Sequence, residues 1–107
     1  MVRSYAPVVR IGTWNLEGKW SSDHERVLVD LACDVWLLTE SRPDARLAGH
    51  SQLLSLARMG EVKHWAAIVS RWPIVPAPAP HPATVAGEIE GLTLLLLGAP
   101  VASVGRR

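Results

Sequence analysis

Two short runs constrain what this chain can fold into. Arg10-Ile11-Gly12-Thr13-Trp14-Asn15-Leu16 and Asp34-Val35-Trp36-Leu37-Leu38-Thr39-Glu40 are both apolar and β-prone. Each carries one polar group at its C-terminal end, Asn15 in the first and Glu40 in the second. Between them, Ser22-Asp23-His24-Glu25 has the form of a capping box, with serine at the cap and glutamate three residues on. Val27, Leu28, Leu31 and Ala32 then fall on one helical face, predicting a short helix to about Cys33. Strand, helix and strand in that order form a βαβ unit, whose right-handed crossover makes the two strands parallel. Asn15 and Glu40 are therefore expected at one edge of a sheet, the edge where open α/β sheets place their chemistry.

A carboxylate beside an amide suits a hard divalent cation. Mg²⁺ takes oxygen ligands and is satisfied with one or two protein carboxylates, and Mn²⁺ is the alternative. The four histidines (His24, His50, His64, His81) show no ligand spacing, so zinc is not expected. Cys33 lies in an apolar stretch and reads as a buried structural thiol. Ser70 lacks the glycine-flanked elbow of a nucleophilic serine.

At 107 residues with a formal net charge of +1, the chain fits one domain and offers no charge argument for nucleic acid or membrane. Nine arginines against two lysines, with five tryptophans and no phenylalanine, read as codon bias rather than function. No signal-peptide core opens the sequence, and no apolar run approaches the ~20 residues of a membrane helix. The expectation is a soluble, cytoplasmic protein.

The first strand is expected over Val8 to Trp14 and the second over Val35 to Thr39. Gln52 to Ala57 is a weaker strand candidate, and His64 to Ser70 a stronger one stopped at Trp72-Pro73. The Pro/Ala-rich segment 75–83 reads as an extended surface connection. Ala83–Ile89 and Leu92–Leu97 form an expected hairpin turning at Glu90-Gly91, and 99–107 is an irregular tail. Leu92–Leu97 is aliphatic enough to demand cover on both faces; left bare it would invite self-association. Trp14, Trp36 and Trp65 are read as core. Trp20 and Trp72, at strand exits, are candidates for lining a groove, with core packing the simpler reading.

Three pieces now stand in order: Thr13-Trp14-Asn15-Leu16, Asp34 to Glu40, and Ala67-Ile68-Val69-Ser70-Arg71-Trp72-Pro73-Ile74. Together they resemble the endonuclease/exonuclease/phosphatase superfamily. That resemblance implies an α/β fold, here the first half of a four-layered α/β sandwich: a βαβ unit plus antiparallel strands, incomplete over 1–107. It implies metal-dependent phosphoester hydrolysis of the nuclease or phosphodiesterase type. Asn15 matches the asparagine that orients the scissile phosphate and the metal site, and Glu40 matches the glutamate that ligates Mg²⁺. Both are thus candidate catalytic and metal residues. Ser70 and Arg71 match a serine-plus-basic segment expected to bind substrate, a nucleic acid or a small phosphodiester.

The family's second half supplies an Asp-x-Asn motif and a late Ser-Asp-His motif. Neither follows the matched segment here, and Gly98-Ala99-Pro100 stands where many members carry a polar group. The chain alone is therefore expected to be inactive. The competing expectation is a truncated, non-catalytic half-domain that needs a partner or is a gene relic. A peptide-binding module using Pro76–Pro82 is the third.

Overall fold

The computed structural model of the protein describes residues 9–60, 63–89 and 92–97. Strand β1 (Ile11–Asn15) leads through a loop into helix α1 (Ser22–Leu31) and strand β2 (Val35–Ser41). β1 and β2 pair in parallel, with Ile11 beside Val35 and Asn15 beside Thr39, as the βαβ argument requires. β3 (Ser51–Leu54), β4 (Arg58–Met59) and β5 (Lys63–Ser70) complete the first sheet, in the order β1-β2-β5-β3 with β4 also on β5. β6 (Val75–Pro76), β7 (Thr84–Ile89) and β8 (Leu92–Leu97) form a second, antiparallel sheet.

The first strand starts later than expected and ends one residue further on; Val8 lies outside the described residues, as do Glu90-Gly91, Gly98-Ala99-Pro100 and the tail 99–107. The 52–57 candidate shortens to Ser51–Leu54, because Ser55 leaves the ladder and offers its Oγ and carbonyl to β5 instead.

Two cores separate the layers. On one face of the first sheet, Trp36, Leu38, Ala67 and Val69 pack under Leu28 of the helix and under Ala45 and Leu47 of the 42–48 loop. On the other face, Val35, Ala66 and Ile68 meet Val85, Ile89 and Leu94 of the second sheet. Alternation along β5 feeds both: Ala67 and Val69 point one way, Ala66 and Ile68 the other. Each large aliphatic side chain fully buried in this way contributes about 1.5–3 kcal/mol. β8 is an edge strand of the second sheet, with Leu94 buried against the core and Thr93 exposed.

Gly12 is required by packing. The Trp36 ring lies across it, and a Cβ there would meet Cζ3, with Cε3 only 2.6 Å away.

The helix is capped one residue earlier than its sequence suggests. Ser21, not Ser22, is the N-cap, with extended backbone and Oγ accepting from the His24 N–H. Both serines are competent caps. His24 settles the choice: its Nδ1 lies 2.7 Å from Ser21 Oγ and its ring stacks on Trp14 at 5.4 Å. The helix ends at Leu31 rather than Cys33, because Ala32 turns left-handed (φ 51°) and its N–H returns to the Leu28 and Val29 carbonyls.

The 76–82 connection is pinned to its own chain. Ala77 N–H donates to the Ala86 carbonyl and Ala57 N–H to the Pro82 carbonyl. Beneath it lies an apolar cavity of about 410 Å³ lined in part by Leu53, Leu54 and Val85.

Candidate functional site at the Asn15 and Glu40 edge

The parallel register sets Asn15 beside Thr39. A regular strand would send Glu40, one residue further, to the opposite face of the sheet. Instead Glu40 adopts a left-handed backbone (φ 51°), which breaks the alternation at that residue. Asn15 Nδ2 then donates to Glu40 Oε2 at 3.2 Å. Non-glycine residues in this region cost about 1–3 kcal/mol, and such strain gathers at functional sites.

The orientation of the Asn15 amide is determined by its other contact. The Glu17 N–H donates to Asn15 Oδ1 at 2.8 Å, so the oxygen faces the loop and the NH₂ group faces the carboxylate. One amide hydrogen is engaged by Glu40. The loop is held from below as well: Gly18 N–H donates to the Glu40 carbonyl (2.8 Å) and Leu16 N–H to the Thr39 carbonyl (3.0 Å). Glu40 is partly buried and has no cationic partner among the described residues. Oε2 accepts from Asn15, and among the described residues no hydrogen bond reaches Oε1.

This donor set fits a hard divalent cation taken by a single carboxylate, since Mg²⁺ keeps several waters and needs few protein ligands. Among the described residues no group of three or more His, Cys, Asp or Glu side chains converges. The amide geometry also divides the two roles. Glu40 is the oxygen ligand on offer, while Asn15 presents N–H toward whatever anion lies beside it.

The structure does not bring Ser70 and Arg71 to this edge. β5 runs antiparallel to β2, so Ser70 pairs with Val35 at the start of β2. That is five residues from Glu40, about 17 Å at strand rise. Both residues have structural partners there. Ser70 is fully buried and its Oγ accepts from the Trp72 N–H at 2.9 Å. Arg71 Nε pairs with Asp34 Oδ1 at 3.1 Å, and its N–H donates to the Asp34 carbonyl. Asp34 Oδ2 accepts in turn from the Arg10 N–H, closing the base of the parallel pair.

What β5 does bring to the Glu40 edge is its first turn of chain. His64 pairs with Ser41, is buried, and has Nδ1 2.8 Å from the Ser55 carbonyl. Lys63 and Trp65 flank it; the strand was expected from His64, so only Lys63 lay outside the expected span. Trp65 is half-buried and belongs to neither core, against the expectation that it is a core residue. Trp20 and Trp72 do pack on the cores, as do Trp14 and Trp36.

Two facing sheets, a parallel strand pair with a covering helix, and a carboxylate and amide at its C-terminal edge define an α/β sandwich. Among solved structures, the endonuclease domain of TRAS1, a telomere-specific non-LTR retrotransposon, shares this fold. The TM-score is 0.64 at 19% sequence identity, with 92% of this chain and 51% of that one covered. The chain thus spans about half the length of that structure. No protein-family model matches the sequence, and no curated protein matches it. No helix among the described residues is long and apolar enough to cross a membrane.

Proposed function

We propose that this chain supplies one half of a divalent-metal phosphoester hydrolase site of the nuclease type. The observation that carries the reading is the left-handed Glu40, whose carboxylate is held by Asn15 at the C-terminal edge of the parallel pair. Glu40 would hold the cation, Mg²⁺ or Mn²⁺, through its carboxylate. When bound, such an ion polarises a phosphoryl oxygen and neutralises charge on the leaving oxygen. Asn15 keeps Glu40 in place with one amide hydrogen and offers the other to a phosphate oxygen. The Glu17 N–H locks the amide so that neither hydrogen turns away. Ser70 and Arg71 have no part in this site.

No general base stands at this edge among the groups described above. His64 is buried and engaged by Ser55. Water activation therefore falls to residues from the other half of such a domain, and the chain alone is expected to bind the ion without turning substrate over.

The test is titration calorimetry with Mn²⁺ on the protein and on Glu40→Gln, with hydrolysis of bis(p-nitrophenyl) phosphate followed alongside. The expected result is binding that Glu40→Gln removes, with no turnover by either protein. Binding that survives Glu40→Gln unchanged would overturn the reading.

A further inference from the structure

Strand β1 ends the first sheet, and no described strand pairs with its outer edge. The Arg10 carbonyl accepts from the Val35 N–H and the Leu16 N–H donates to the Thr39 carbonyl, so the even-numbered residues bond to β2. By alternation Ile11, Thr13 and Asn15 turn their N–H and C=O groups outward. Neither proline nor a charged side chain interrupts the strand, and these are the usual protections of an open edge.

The helix leaves an apolar flank over the same edge. Val27 and Leu31, one turn apart, are both exposed, and with Gly12, Trp14 and Cys33 they line a cleft of about 350 Å³. Ile11, at the start of the edge, is exposed as well. Charge is placed at the two ends: Arg10 precedes β1 and Glu17 follows it, both exposed.

We infer that β1 pairs antiparallel with β1 of a second copy of this chain, about a two-fold axis through Thr13 and perpendicular to the sheet. Thr13 then pairs with Thr13 and Ile11 with Asn15, and every outward N–H meets an outward carbonyl. Gly12 falls opposite Trp14 on the helix face, the smallest side chain against the largest. The axis keeps both helices on one face of the joined sheet, with Val27 and Leu31 of each turned to the seam. Arg10 of one copy comes beside Leu16 and Glu17 of the other, so unlike charges meet at both ends of the pair. A contact of β1 with β8 would be head-to-tail, leading to filaments or rings, and Leu92-Thr93-Leu94-Leu95-Leu96-Leu97 offers Arg10 no acid. An unrelated strand could match the hydrogen bonds but neither the helix flank nor the charges. The pairing uses the main chain of Asn15 and leaves its amide on Glu40, so it stands apart from the hydrolase reading.

The experiment is sedimentation equilibrium of the 107-residue protein over a range of concentrations. The expected species has twice the mass of the 11.7 kDa chain, in equilibrium with the monomer. Thr13→Pro removes an outward N–H without touching the β2 ladder, and Val27→Glu charges the exposed helix flank without entering either core. Both are expected to be monomeric with unchanged far-UV circular dichroism. Arg10→Glu and Glu17→Arg are each expected to raise the dimer Kd about tenfold, since like charges replace both exposed pairs, and the double substitution to restore it. A monomer at every concentration, a dimer that keeps its Kd in Thr13→Pro and Val27→Glu, or charge variants whose effects simply add would overturn the inference. So would larger species that Thr93→Lys breaks up, which would place the contact on β8.

Discussion

Replacing Glu40 with alanine and with glycine separates the strain at this residue from its chemistry. Both substitutions delete the carboxylate and the Asn15 hydrogen bond, so that loss cancels between them. In an ordinary strand glycine is less stable than alanine by about 0.5–1 kcal/mol, because the unfolded chain gains freedom. At φ 51° alanine keeps the left-handed penalty of about 1–2 kcal/mol, and glycine escapes it. The difference predicts that Glu40→Gly is more stable than Glu40→Ala by about 0.5–1 kcal/mol, the reverse of the usual order. For a domain of this size that is roughly 3–6 °C in Tm. Urea denaturation and differential scanning calorimetry on the pair would read it, and neither protein should bind Mn²⁺. An alanine variant as stable as the glycine variant, or more stable, would refute the claim that Glu40 is held in a strained conformation for its function.

Other perturbations test the frame around the site. Gly12→Ala should destabilise by about 1–3 kcal/mol, because the added methyl overlaps the Trp36 ring within a packed core; the shift in urea midpoint at constant m measures it. Ala32→Gly should stabilise by about 0.5–1 kcal/mol by relieving the left-handed helix C-cap, read as a rise in Tm. The Arg42 guanidinium, bonded from Nε to Asp44 Oδ1 at 3.0 Å, holds the Asp44 carboxyl below its ordinary value of 3.8, against a smaller opposing effect of burial. A depressed folded-state value contributes stability above pH 3.8 that is lost as pH falls through the folded value. Arg42→Ala should therefore raise the Asp44 titration midpoint in a carbonyl NMR titration; an unmoved midpoint would refute the assignment of cause.

The sandwich and the Asn15 and Glu40 edge were legible because their determinants are local. An apolar run, a helix cap and a second apolar run leave one handedness for the crossover, and parallel pairing follows. The α/β fold expected from three short motifs is also that of the TRAS1 endonuclease domain, to which the chain is similar. What stayed hidden depends on direction and on backbone conformation. Ser70 and Arg71 follow a strand just as Asn15 and Glu40 do, but β5 runs antiparallel to β2, so its C-terminal end lies at the opposite edge. The same reversal brings the start of β5, from Lys63, to the end of the sheet where β2 reaches Ser41. The left-handed Glu40 carries no sequence signal, since glutamate is not a residue that seeks positive φ. Between Ser21 and Ser22 the choice of cap turned on a tertiary contact, the stacking of His24 on Trp14.

The most direct test of the central claim is Mn²⁺ paramagnetic broadening in the amide NMR spectrum of the ¹⁵N-labelled protein. An ion on Glu40 should first erase the amides of Leu16, Glu17, Gly18 and Ser41, and spare Arg71 and Trp72 at the opposite end of the sheet. Broadening centred on Ser70 to Trp72, or on the helix carboxylates Asp23 and Glu25, would contradict it.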